Sequence, residues 1–145
     1  MKNLLNILKM LGASGFLCLL LAVPGAAQIA DGLDFSTDFA FTAGSTKMPA
    51  GAYTITQSED MQGIMKITAV SGNHSAMVSF TPMQAETTHA TSDVTFRRYG
   101  KAEYLDTVLV GGQKYGMKVE PTKAELAAAG GQKAEVHKVS GKSKS

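Results

Sequence analysis

The side chains able to do chemistry are few and dispersed along the chain. Its three histidines are His74, His89 and His137, and none has a second histidine or a cysteine at the short spacing that metal coordination uses. Glu86 and His89, three residues apart, would supply half a metal site, but the polar loop around them offers no further ligand. Paired carboxylates do acid–base work when a cleft holds them with separated proton affinities. Glu59 and Asp60 are adjacent in a turn, while Glu103 and Asp106 lie on one strand and point to opposite faces, so all four read as surface charges. Ser71-Gly72-Asn73-His74-Ser75 sets serine beside histidine, yet on a hairpin tip and without a G-x-S-x-G elbow. No G-x-x-x-x-G-K-[ST] or G-x-G-x-x-G loop occurs. No catalytic residue, metal ligand or cofactor is therefore expected.

One cluster has binding chemistry. Arg97-Arg98-Tyr99 combines forked guanidinium donors with a flat ring, a set suited to an anion or a sugar. On a strand the two arginines must point to opposite faces. One is expected in solvent and the other paired or at a sheet edge.

The elements that position these residues read as strands. Residues 34–42 alternate, with Phe35, Phe39 and Phe41 on one side, and Ala43-Gly44-Ser45-Thr46 closes the run as a turn. Lys47-Met48-Pro49-Ala50-Gly51 is a second turn, in which Pro49 presets φ and Gly51 relaxes it. Tyr53 and Ile55 then begin a strand over 51–57, and the two runs form an expected hairpin. Pro49, Gly51 and Tyr53 are accordingly structural. Residues 61–70 and 75–80 predict a second hairpin about Ser71-Gly72-Asn73, and 83–92 a loop or a weak edge strand followed by one. Val94 and Phe96 share a face. After the Tyr99-Gly100-Lys101 turn, residues 103–110 are apolar on both faces, as in a central strand, and 115–119 alternate again. Thr122-Lys123-Ala124-Glu125 matches a capping box, opening a helix of about two turns that stops at Gly130. About seven strands, no βαβ rhythm and one short C-terminal helix predict an all-β fold, an antiparallel β-sandwich or partly closed β-barrel.

Residues 1–27 read as a signal peptide. Lys2 and Lys9 form its basic start, Leu11 to Val23 its apolar stretch, and Pro24 with Gly25-Ala26-Ala27 its cleavage region. The apolar stretch falls short of the roughly 20 residues that span a bilayer, so no stable membrane span is expected after cleavage. Cys18, the single cysteine, leaves with the leader, which excludes disulfides and thiolate chemistry from the remainder. Export to the periplasm or the extracellular space follows. Removing 27 of 145 residues leaves 118, one domain, expected over 28–129. Because the leader carries two lysines and no acid, the remaining chain balances 12 basic against 12 acidic residues. That is not the field of a nucleic-acid binder. Residues 130–145 hold four lysines against Glu135 with two branched apolar residues, Val136 and Val139, and read as a disordered Lys/Ser/Gly-rich tail.

The chain resembles a family of small uncharacterised secreted bacterial proteins. The likeness lies in Phe39-Ala40-Phe41-Thr42-Ala43-Gly44, in Met48-Pro49-Ala50-Gly51-Ala52-Tyr53, in Phe96-Arg97-Arg98-Tyr99-Gly100 with Tyr104-Leu105, and in the glutamate-bearing helix at Lys123 to Ala128. Ala102-Glu103 departs from the pattern. The resemblance implies a shared fold and export, and carries no activity or ligand. Residues and resemblance together lead to a noncatalytic exported β-domain acting as a binding or envelope-interaction module, its partner an envelope protein. A carrier of a small apolar ligand between its sheets is the second expectation. A secreted hydrolase assembled in space around His74 or His89 is the third.

Overall fold

A computed structural model describes residues 32–144; the expected signal peptide and Cys18 lie outside them. In chain order the elements are β1 (Leu33–Thr37), β2 (Phe41–Ala43), β3 (Thr46–Met48), β4 (Gly51–Gln57), β5 (Ile64–Ala69), β6 (Ser75–Ser79), β7 (Thr81–Gln84), β8 (Ser92–Tyr99), β9 (Ala102–Leu109) and β10 (Tyr115–Lys118). A single short helix, α1 (Lys123–Ala129), and a last strand, β11 (Glu135–Ser143), complete them. The strands form one sheet in the order β3-β2-β9-β8-β11-β1-β4-β5-β6, with β10 on the far part of β9 and β7 beside β10. Its twist curls the sheet into a nearly closed barrel. Every pairing is antiparallel except β2 with β9, which meet in parallel at Thr42 and Tyr104. The all-β expectation with a short helix holds, with eleven strands in place of about seven.

Part of the excess arises where one predicted run breaks. Residues 34–42 do not continue as one strand: β1 ends at Thr37, whose hydroxyl donates to the Phe39 carbonyl at 2.9 Å, and β2 then turns back on β3 as a small hairpin. β1 still pairs with β4, Phe35 opposite Tyr53, as the predicted hairpin requires. Phe35 lies at the hub of the core, its ring 5.6 Å from Tyr53, 6.0 Å from Phe41 and 6.4 Å from Phe96. The Tyr53 hydroxyl donates back to the Pro49 carbonyl, so the Pro49 to Tyr53 stretch is a structural turn that joins β3 to β4. Residues 81–84 form β7, an edge strand that begins before the 83–92 run and takes in only its first two residues, stabilised by pairing with β10.

On β9 the register slips by one residue. Thr107 faces Thr95 and Leu105 faces Phe96, which leaves Asp106 as the extra residue of a β-bulge. The slip changes parity, so Leu105 and Val108, three apart, are both buried. The bulged Asp106 presents its carbonyl to the Val119 N–H at 2.7 Å, which carries the chain from β10 toward α1.

Residues 130–144 are not the disordered tail that composition suggests. β11 lies inside the sheet, paired with β8 over seven positions and with β1 over three. The composition argument weighed side-chain burial, and β11 is ordered by main-chain hydrogen bonds to two neighbours instead. It is a segment with no buried residue in which every position is paired with β8 or β1.

Gly111, between β9 and β10, has no room for a side chain. A Cβ there would lie 2.9 Å from the backbone of Ser92 and of Thr91, while its N–H donates to the Ser92 hydroxyl at 2.8 Å. Because the obstacle is backbone, Gly111→Ala is expected to cost about 1–3 kcal/mol. Thermal unfolding checks this, with the exposed turn variant Gly112→Asn as the mild control.

Candidate functional site

β8 carries the expected binding cluster and sends it to two places. Arg97 points outward beneath α1, where all five of its N–H donors are engaged. Nε donates to Glu125 Oε1 at 2.6 Å and Nη2 to Glu125 Oε2 at 3.0 Å, a forked pairing. Nη1 reaches Asp106 Oδ1 at 2.7 Å and the Val119 carbonyl at 2.8 Å, and Nη2 also meets the Leu105 carbonyl at 3.2 Å. No donor remains for an anion or a sugar. The Tyr99 hydroxyl donates to Glu125 Oε1 at 3.3 Å, and its ring packs edge-on against Tyr104. Arg98, on the opposite face, meets Glu135 at 2.9 Å where both are exposed, a pairing of little energetic weight. The alternation expected of the two arginines is thus realised, one paired in the interior of the α1 contact and the other at the surface.

Glu125 was legible as half of a capping box. Thr122 accepts from the Glu125 N–H at 3.1 Å, so the helix cap forms, but the Glu125 carboxylate leaves the cap for Arg97. The glutamate is 2 % exposed. Burial works against the Arg97 charge, and the hydrogen bonds and charge of Glu125, then Asp106, outweigh it and hold the guanidinium more firmly protonated than usual.

A second cluster lies on the inner face of the same strands. Glu103, which reads as a surface charge in sequence, is buried, because it shares parity with Leu105 and so faces inward. Its Oε1 meets His137 Nδ1 at 2.8 Å, while Oε2 is buried without a hydrogen-bond partner. The His137 ring stacks on Phe39 at 4.6 Å between centroids, and Phe39 stands edge-on to Phe96 at 5.1 Å. A buried carboxylate behind a half-exposed imidazole is the arrangement that orients a general base. Catalysis also needs a nucleophile or a bound substrate within reach of the imidazole. No serine, cysteine or threonine side chain is hydrogen-bonded to His137 among the described residues. Reading residues 130–145 as a tail hid this pair.

The remaining candidates stay apart. His74 is exposed between β5 and β6, Glu59 and Asp60 are exposed in the turn after β4, and His89 lies half-buried in the loop between β7 and β8. No group of three or more histidine, cysteine, aspartate or glutamate residues that could hold a metal occurs among the described residues. One surface groove of about 580 Å³ runs over β11, β1 and β4 between Val70 and Lys142, and another of about 320 Å³ lies between β6 and the segment after β10. Neither is lined by Arg97, Glu103, His74, His89 or His137. Comparison with protein-family models, with curated proteins and with solved structures returns no match.

Arg97→Ala leaves the buried Glu125, and the half-buried Asp106 beside it, without their counter-charge, and a loss of about 3–5 kcal/mol is expected. Chemical denaturation measures it. Arg97→Met combined with Glu125→Leu should recover part of that loss, since an apolar pair replaces an ionic one.

Three tyrosines give an alkaline readout. Burial raises the pKa of Tyr53; burial and then Glu125 raise that of Tyr99, with Arg97 opposing; burial raises that of Tyr115, with the bond from Gln57 opposing. The fold thus favours the neutral phenols, a contribution fully present below the ordinary tyrosine pKa of about 10 and lost as pH rises through the folded values. Tyrosinate absorbance of the folded protein should lag behind that of the denatured chain between about pH 10 and 11. Coincident titrations would contradict the burial argument.

Proposed function

We propose that the chain is an exported, noncatalytic β-barrel that acts through its surface, as a binding or envelope-interaction module. The observation that carries this reading is the pairing of its reactive groups with one another. Arg97 is saturated by Glu125, Asp106 and two carbonyls, and Glu103 is bound to His137. None of these groups lines either surface groove. The basic start, apolar stretch and small-residue cleavage region of residues 1–27 support export, as does the resemblance to small secreted bacterial proteins.

A carrier of a small apolar ligand has less support. Its ligand would occupy the barrel interior, where Tyr53, Phe96, Met48, Met65, Leu105 and Met117 are packed against one another with almost no exposure. A hydrolase centred on His74 or His89 has less still, because both lie on connections away from the grooves.

Native mass spectrometry of the protein recovered from its own envelope tests the first reading. The expected mass is that of the chain from Gln28, with no small molecule bound. A stoichiometric small-molecule adduct would overturn the surface-contact reading in favour of the carrier.

A further inference from the structure

β11 is a poorly buried strand in the middle of the sheet. None of its nine residues is buried, whereas five of the eight in β8 are, and no β11 residue belongs to the buried core. Its backbone is nevertheless paired throughout, residues 135–141 with β8 and residues 141–143 with β1, the two ladders meeting at Gly141. Most of the side-chain contacts that accompany the ladder are polar, His137 with Glu103, Glu135 with Arg98, and the Ser143 hydroxyl with that of Ser92 at 2.6 Å, while Val139 packs at the margin of the core and the His137 ring lies on Phe39. Main-chain hydrogen bonds for affinity and a few side-chain fits for selection are the chemistry of strand addition.

Two glycine features define how the strand is delivered and seated. Gly130 and Gly131 both have left-handed φ, +57° and +83°, and form a joint between α1 and β11. α1 itself is fastened to the barrel by Glu125 and Arg97. At the other end, a Cβ on Gly141 would come within 2.9 Å of Leu33 Cδ2, so the seat beside β1 accepts glycine at that register position. The result is a tethered strand with one defined register, beyond a glycine joint, over a core whose buried residues all come from other segments.

We propose that β11 is exchangeable, and that the slot between β1 and β8 takes the β11 of a second copy of this chain. A second copy meets every requirement of the slot, since it brings the same glycine opposite Leu33, the same histidine to Glu103 and the same serine to Ser92. Exchange breaks and remakes identical contacts, so the joint and the protein concentration set the balance between closed monomer and exchanged assembly. Reciprocal exchange gives a two-fold dimer, and one-way exchange a growing chain. This inference rests on the surface-contact reading and names a partner for it.

Cysteine complementation tests it, because residues 28–145 contain no cysteine. Asp34 and Lys142 are direct partners across β1 and β11, with the Asp34 side chain half-exposed and Lys142 exposed. One preparation of residues 28–145 carries Asp34→Cys and another Lys142→Cys. After the two are mixed, refolded together and oxidised, a disulfide-linked heterodimer is expected. Its yield should be about tenfold above a mixture in which exposed Lys47→Cys replaces Asp34→Cys, reflecting the effective concentration of seated partners. A single chain with both Asp34→Cys and Lys142→Cys should close an internal disulfide when folded at high dilution. A heterodimer no more abundant than the control, with the internal disulfide formed, overturns exchange. Failure of the internal disulfide overturns the register on which exchange depends. Either failure is distinct from the small-molecule adduct that would overturn the surface-contact reading.

Discussion

The Arg97 guanidinium is where three parts of the molecule meet. It binds the Glu125 carboxylate of α1, the Asp106 carboxylate at the β9 bulge and the carbonyl of Val119 beyond β10. A helix of seven residues is too short to persist by its own hydrogen bonds, so α1 depends on this anchor and on its cap. The bulge depends on it too, because a bulged residue leaves the ladder and needs another partner for its side chain. Arg97 supplies that partner while Val119 takes the bulge carbonyl. One cation facing two carboxylates remains a net acidic cluster, and the Leu105 and Val119 carbonyls add acceptors around it. The arrangement is satisfied by geometry rather than by charge balance.

The opposite face of β8 works by another principle. Glu103, His137 and the rings of Phe39 and Phe96 form a stack at which a polar pair enters an aromatic environment. The imidazole serves as the interface between the two, hydrogen-bonded at its edge and packed on its face. A histidine is well suited to this position because an ammonium or carboxylate would lack the flat apolar surface that Phe39 requires. Together the two clusters engage Arg97, Tyr99, Glu103, Asp106 and Glu125 of β8, β9 and α1.

What could be read from the sequence was whatever obeys a local period. β4, β5, β6 and α1 follow from alternation, turn residues and the capping pattern, and the structure places each close to its expected bounds. What could not be read depends on distant partners. Glu103 and Asp106 fall on opposite faces by alternation, but only the packed sheet decides which face is inner, so that one joins His137 and the other Arg97. Glu125 carries a capping signal, but its carboxylate answers to a strand 28 residues away. β7 is a strand because β10 lies beside it, and residues 135–143 are a strand because β1 and β8 leave two ladders to fill. His137 was therefore weighed without the neighbours that define it.

The position of β11 also sets the order in which the barrel can be completed. β1 is paired on one side by β4, close in sequence, and on the other by β11, about a hundred residues further along. Local hairpins such as β4 with β5 and β5 with β6 can form as soon as their residues are free, whereas the seam between β1 and β8 stays open until residues 135–143 are at hand. A chain emerging from its amino end during synthesis would thus hold its hairpins ready and close its seam last. The sheet carries its own timing signal: closure reports that the described domain has arrived whole.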